Sequence, residues 1–438
     1  MSVLLLDLNN LWANAQGVKI PIQRTTKQQK NLGTILSSNV SVASSHEFAY
    51  LANIQVGGQG FLALLDTGSS DLWVVSSNCT KSDYKPFNLN YLMGSVTGLV
   101  GTEKVTLGPF EISEQVLGLA NGTTGLGLAG TGNSGILGLS FPLEAAIPDT
   151  TGTTLLENVL ASFDESSRYF AFKLGRDQLS SSFTLGQLDS TFANDTSQFA
   201  FTSVYPSSPG AETYDYWKIP IHALTINGTT FELSPSGVAG AKTPLAVMDT
   251  GTTLILGPSA DVDRFYNSIG GTKKDETQNQ WQIRCDRNIA IGFVLGEKGH
   301  TKEYVMDPLD LSWEEGGRDG DWCLGGVQAN DGVSSGDWLL GDTFLRNTYV
   351  IHQIASQGNP PQVGILSMTD RDTAFAKFTV SRGPDPTSPV PILSDAPNRP
   401  RTLSAVAICG ISGAGGYVFG LVLALLISYC VASRSKGR

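Results

Sequence analysis

Basic residues are scarce in this chain. Against 40 Asp and Glu stand 29 Lys and Arg in 438 residues, a net charge of −11, and charged residues of both signs make up only 16%. No basic block occurs ahead of the extreme C-terminus, which argues against nucleic acid as a partner. Histidine is scarcer still: His46, His222, His300 and His352 are scattered without ligand spacing, so no metal is expected. No glycine-rich phosphate loop precedes a helix, and no Ser/His or Cys/His arrangement stands out, so no cofactor and no covalent nucleophile are implied. Cysteine is thin as well. Cys409 and Cys430 fall in an apolar C-terminal stretch, which leaves Cys79, Cys285 and Cys323. Cys285 and Cys323 enclose a loop in the second half and form the natural disulfide pair, and Cys79 reads as a free buried thiol or as a cysteine paired outside the domain.

Charge is missing altogether between Arg401 and Arg434. Residues 403–433 are long and apolar enough to cross a bilayer as a helix. Arg434, Lys436 and Arg438 follow at once, which places a short cytoplasmic tail at 434–438 and the main domain outside or in a lumen. A lipid-anchor signal is the competing reading, but such tails end apolar and this one ends Ser-Arg-Ser-Lys-Gly-Arg. Ahead of the span, the proline-rich residues 381–402 read as an extended stalk. At the other end, residues 1–15 resemble a shortened signal peptide with Ala13-Asn14-Ala15 as a cleavage site. The sequons at Asn39, Asn78, Asn121, Asn194 and Asn227 agree with a secretory route.

What the chain does have is glycine, 49 residues of it, with a hydrophobic content of 41%. That composition describes a strand-rich globular protein. It also has an internal duplication. Leu62-Ala63-Leu64-Leu65-Asp66-Thr67-Gly68-Ser69-Ser70 recurs as Leu245-Ala246-Val247-Met248-Asp249-Thr250-Gly251-Thr252-Thr253. Each copy is an apolar run that ends abruptly in a carboxylate, a hydroxyl and a glycine, the pattern of a buried strand delivering an Asp to its own end. By composition one Asp-Thr-Gly arises by chance in about one such chain in ten, so the weight lies on the matched flanks of the two copies. Two half-domains meeting across paired carboxylates can make water a nucleophile without a metal or a covalent intermediate. Two carboxylates a few ångströms apart cannot both ionise cheaply, so they share one proton; the ionised partner takes a proton from water and the protonated one hydrogen-bonds the scissile carbonyl.

Asp66-Thr-Gly-Ser-Ser-Asp-Leu-Trp73-Val74 and Asp249-Thr-Gly-Thr-Thr resemble the two active-site loops of pepsin-like (family A1) aspartic proteases, here in a membrane-anchored form of fungal type. Other segments follow in the family's order from about His46 to Lys377. Tyr91-Leu-Met-Gly94-Ser95-Val-Thr-Gly98 is similar to the flap hairpin. Gly135-Ile-Leu-Gly-Leu-Ser-Phe-Pro142 and Leu339-Leu-Gly-Asp-Thr-Phe-Leu-Arg346 resemble the segments closing the two lobe cores, and Tyr216-Trp217-Lys-Ile the strand opening the second lobe. Val18-Lys-Ile-Pro-Ile-Gln-Arg24 looks like the start of a pro-segment.

The resemblance implies a mostly β, bilobal fold with the active site between two β-rich lobes, at 46–205 and 206–380, after a pro-segment at 16–45. It implies Asp66 and Asp249 as the catalytic pair. Gly68 and Gly251 would turn the backbone, Ser69 and Thr252 would donate to the outer oxygen of each Asp, and Thr67 and Thr250 would cross-brace the loops. Tyr91, with Gly94 and Ser95 at the tip, would form the flap, Trp73 would bond the Tyr91 hydroxyl, and Thr253 would face substrate. Lys27 or Lys30 would cover the dyad in a zymogen. The chain departs from the family at Leu92-Met93, in the shortened stretch between Cys79 and Tyr91, and in the Gly, Thr, Leu and Ala run from Asn121 to Gly132, which reads as a wider pocket wall. The implied activity is acid-optimal endopeptidase cleavage of protein or peptide substrates by a monomer. The alternative is a catalytically silent, surface-anchored peptide-binding protein of the same fold. A retroviral-type protease is excluded, because that class supplies one loop per chain.

Overall fold

The computed structural model describes residues 15–26, 48–76, 81–128, 132–147, 152–176, 180–356 and 358–386. The expected signal peptide up to residue 14, Lys27, Lys30, Asn39, Asn78, Cys79, most of the expected stalk, and the expected membrane span and tail lie outside them. Among the described residues no helix is long and apolar enough to cross a membrane.

The chain is mostly β, as its glycine-rich composition leads one to expect, and forms two β-rich lobes. In the first, strand Gln59–Asp66 lies parallel to Gly135–Gly138, which runs antiparallel to Leu72–Val75. The second repeats the plan: Leu245–Met248 lies parallel to Trp338–Leu340, which runs antiparallel to Ile255–Gly257. Leu245–Met248 and Gly135–Gly138 are entirely buried and so read as unbroken runs of apolar residues and glycine. Each apolar strand therefore ends in a carboxylate at the same place in its lobe, held by a neighbour that closes the sheet over it.

The lobes share a third, six-stranded sheet. Its centre pairs Tyr169–Lys173 with Thr348–Gln353, one strand from each half of the chain, with Ala171 opposite Ile351. His352 sits in this sheet, stacked on Phe170 with ring centroids 4.6 Å apart and edge-on to Trp217. Neither ring nitrogen has a hydrogen-bond partner, and burial pushes the imidazole down to about 3, so it is a neutral core ring. Val18–Ile20 is the edge strand of the same sheet, against Ser182–Leu185, and Ile22–Thr26 is the edge strand of the first lobe's sheet.

Cys285 and Cys323 are disulfide-bonded, joining a four-stranded sheet of the second lobe to the turn beside it. The second lobe does not stop at residue 380. Helix Arg371–Arg382 is capped by Asp370, whose carboxylate accepts the Thr373 amide, and its Ala374 and Phe378 are buried. Arg382 pairs with Glu314 at 2.9 Å, and Asp385 pairs with Arg287, a guanidinium that also donates to the Ile269 carbonyl at 2.6 Å. The first residues of the expected stalk, through Asp385, are thus part of the folded lobe, because a buried arginine needs that carboxylate.

Candidate active site

Both aspartates stand at strand ends, 6% exposed, and their loops are built alike. The Gly68 amide donates to Asp66 Oδ1 (2.9 Å) and the Gly251 amide to Asp249 Oδ1 (2.8 Å). The Ser69 hydroxyl donates to Asp66 Oδ2 (2.5 Å) and the Thr252 hydroxyl to Asp249 Oδ2 (2.6 Å). Four donors thus fix four carboxylate oxygens in a matched orientation.

The loops are locked to each other by their threonines. Thr67 Oγ1 donates to the Met248 carbonyl (2.7 Å) and accepts the Thr250 amide (2.9 Å). Thr250 Oγ1 donates to the Leu65 carbonyl (2.7 Å) and accepts the Thr67 amide (3.1 Å). All four bonds are buried between the lobes, each worth about 1 kcal/mol net, more if broken with one partner left behind. The glycines are required by this approach: a Cβ on Gly68 would fall 2.6 Å from Asp249 Oδ1, and one on Gly251 only 2.2 Å from Asp66 Oδ1.

The electrostatics follow from burial. Desolvation, then the negative charge of Asp249, raises Asp66 above the ordinary carboxylate range, opposed by the Ser69 and Gly68 bonds. Asp249 is raised as well, again chiefly by burial, with the Thr252 hydroxyl and Gly251 amide pulling it back. The pair therefore keeps one proton well above the pH at which an isolated carboxyl loses it.

Above the pair stands the hairpin of Lys81–Tyr91 and Gly94–Leu107, with Tyr91 opposite Gly94 and Ser95 opposite Asn90. The Trp73 indole N–H donates to the Tyr91 hydroxyl at 2.8 Å. Trp73 is at the same time fully buried in the first lobe's core with Phe87, Val96 and Ile136, so it serves both roles. Burial, then the nearby Asp66, raises the Tyr91 phenol and keeps it neutral. Tyr91→Phe would leave the indole N–H without its acceptor; kcat/KM is expected to fall about five- to tenfold, measured against the parent chain on one peptide.

The described part of the run from Asn121, residues 121–128, lies along the flap hairpin. Residues 121–124 complete the strand Phe110–Thr124, which pairs with the flap so that Ser95 faces Thr124. Leu126 and Leu128 pack against the core cluster that holds Tyr91. The small residues fit because the flap backbone comes so near: a Cβ on Gly94 would sit 2.1 Å from the Thr124 carbonyl, and one on Gly125 2.7 Å from the Met93 carbonyl. Thr253 uses its backbone, its carbonyl accepting both the amide (2.9 Å) and the hydroxyl (3.0 Å) of Thr343.

Three supporting residues escaped the sequence reading. Asp71 accepts the Ala146 and Ile147 amides (3.1 and 2.8 Å), Ser70 donates to the Phe141 carbonyl (2.7 Å), and the amide of buried Asp342 donates to the Thr252 carbonyl (2.8 Å). Burial raises Asp342 well above the ordinary range. The segments holding Phe141 and Asp342 were recognisable as lobe-closing, but their partners lie far off in sequence. Among the described residues no group of His, Cys, Asp and Glu is disposed to hold a metal ion.

Paired, interlocked Asp-Thr-Gly loops under a tyrosine-bearing hairpin define an aspartic-type hydrolase site. The family described as "Eukaryotic aspartyl protease" matches residues 49–360. The chain therefore belongs to the eukaryotic aspartyl proteases, which are aspartic-type endopeptidases. It is similar to major aspartyl peptidase 1 of Cryptococcus neoformans, 27% identical over 389 residues that cover 81% of this chain and 75% of that protein. It is also similar to pig (Sus scrofa) pepsin A, 28% identical over 333 residues covering 70% of this chain and 79% of the relative. Chymosin of Callithrix jacchus is 26% identical over 327 residues, covering 70% and 78%.

Proposed function

We propose that this endopeptidase cleaves proteins or peptides through a water molecule activated by Asp66 and Asp249, with an acidic optimum. The observation that carries the reading is the matched donor set, which leaves both carboxyls oriented and buried. The ionised carboxyl would take a proton from the bound water as it attacks the scissile carbonyl, and the protonated one would donate to the carbonyl oxygen. A tetrahedral diol then collapses as a proton passes to the leaving nitrogen. Tyr91 and the hairpin would cover the pair and exclude bulk water. The test is cleavage of a mixed peptide library, from pH 3 to 7 and with and without pepstatin, by the chain after removal of the pro-segment at 16–45. Acid-dependent cleavage blocked by pepstatin is expected; folded protein with no cleavage at any pH would favour the peptide-binding alternative.

The same reading extends to the ends of the chain. Val18–Ile20 and Ile22–Thr26 would begin a removable pro-segment at 16–45, since each is an edge strand with a single partner. Lys19 holds the first of them through Asp189 at 2.6 Å, an ion pair half exposed to solvent. The span 403–433 would anchor the enzyme as a single-pass membrane protein of the secretory pathway, its catalytic lobes extracellular or lumenal. Asn121, Asn194 and Asn227 are all exposed, as glycan acceptors must be.

A further inference from the structure

The two lobes meet again at one end of the cleft, through the segment that follows the first lobe's closing strand. Ser140 Oγ donates to the Asp215 carbonyl (2.8 Å) and Trp217 Nε1 to the Leu139 carbonyl (2.9 Å), while the Phe141 ring packs on Trp217 with centroids 4.3 Å apart. At the outer limit of this seam the Tyr216 hydroxyl of the second lobe donates to Glu144 Oε2 of the first, at 2.9 Å. The seam is bonded to both catalytic loops: the Leu139 amide donates to the Asp66 carbonyl (2.8 Å) and the Met248 amide to the Trp217 carbonyl (3.0 Å). Glu144 therefore stands at the outer edge of a seam whose inner residues are bonded to the two catalytic loops.

The carboxylate is also free to bind. Glu144 is exposed, and its second oxygen takes no hydrogen bond among the described residues. Other charges nearby do not offset it: Asp215 is paired with Lys218 at 2.7 Å, both largely buried. Leu143, 54% exposed, lies beside it and offers an apolar surface to an aliphatic stem. A held carboxylate with an open oxygen, next to an exposed leucine, fits a long cationic side chain and repels an acidic one.

We propose that Glu144, positioned by Tyr216, is a specificity-determining residue that takes a lysine or arginine side chain of the bound peptide at this end of the cleft. The assignment rests on the endopeptidase reading above and names a substrate feature for it. It differs from a purely structural role, in which Glu144 would only tie the lobes together.

The test uses the full chain at pH 5 and two peptide sets of one core sequence, scanning Lys or Glu at each position on both sides of the scissile bond. At one outer position the parent is expected to cleave the Lys peptide about fivefold faster than the Glu peptide in kcat/KM, the size of one screened ion pair. Glu144→Gln, which keeps the shape and an acceptor for Tyr216, should bring that ratio near one while the ratios at other positions hold. Tyr216→Phe should reduce it in part, by releasing the carboxylate. An unchanged Lys-to-Glu ratio at every position in an active Glu144→Gln chain would overturn the assignment and leave the endopeptidase reading standing. No cleavage of any peptide by the parent would overturn both.

Discussion

Asp66→Asn is expected to abolish peptide cleavage, by about a thousandfold or more, and yet to make the protein more stable at neutral pH. The loss of rate follows from removing one of the two carboxyls that share the proton in the proposed mechanism, since an amide cannot take its place in that exchange. The gain in stability follows from linkage. Asp66 is raised in the folded chain, by burial and by Asp249, above the value of about 3.9 that it has when unfolded. From about pH 4 upward the folded state then binds more protons than the unfolded one, so stability is fully present in acid and declines as pH climbs through the raised value. A neutral amide at this position removes that decline. Thermal unfolding of parent and variant from pH 3 to 7.5 would show the curves close in acid and separating towards neutrality, the variant higher. A variant that lost stability more steeply than the parent would mean that the charge of Asp66 stabilises the fold. Asp249→Asn should lose activity to the same extent, because either carboxyl alone lacks its partner.

The second large effect is Gly251→Ala. A Cβ there would lie 2.2 Å from Asp66 Oδ1 and 2.6 Å from its Cγ, and that carboxylate cannot step aside without giving up the Ser69 and Gly68 bonds that orient it. The loops would have to part, straining the four threonine bonds between the lobes. Activity is expected to fall at least a hundredfold, and stability by about 1–3 kcal/mol, as for other overpacked sites. Gly60→Ala is the control: its Cβ would meet nothing nearer than Asn53 Oδ1 at 3.7 Å, so activity and unfolding midpoint should stay near the parent values. Denaturant unfolding with parallel kinetics on both variants decides the matter. Comparable losses in both would show general sensitivity to added bulk and not a contact at the dyad.

Much of the site was legible because it is local. Each Asp lies within three residues of the glycine amide and the hydroxyl that orient it, so a nine-residue segment carries its own hydrogen-bond set, and duplication made the set visible. Tyr91 and Gly94 could likewise be read together, as partners in one hairpin. Residues 121–124 could not: as sequence they are a run of small residues, and only pairing with the flap makes them a strand. Gly125, just beyond them, meets the flap backbone of residues 93–94, some thirty positions back along the chain. Asp71 was invisible for a similar reason, its amide partners at 146 and 147 having no signature of their own.

By itself, then, the sequence determined the mostly β class, the two carboxylates with their immediate donors, the flap tyrosine and the Cys285–Cys323 bond. These depend on side-chain type and short spacing, which a linear chain displays. Only the tertiary structure decided that Arg287 holds Asp385 and extends the second lobe past its expected end. It alone decided that His352 is a neutral ring in the sheet between the lobes, and that Glu144 meets Tyr216 across the seam. Each of those outcomes turns on burial or on a partner 72 to 98 residues distant. Desolvation and long-range pairing belong to the packed chain, and no spacing rule in the sequence encodes them.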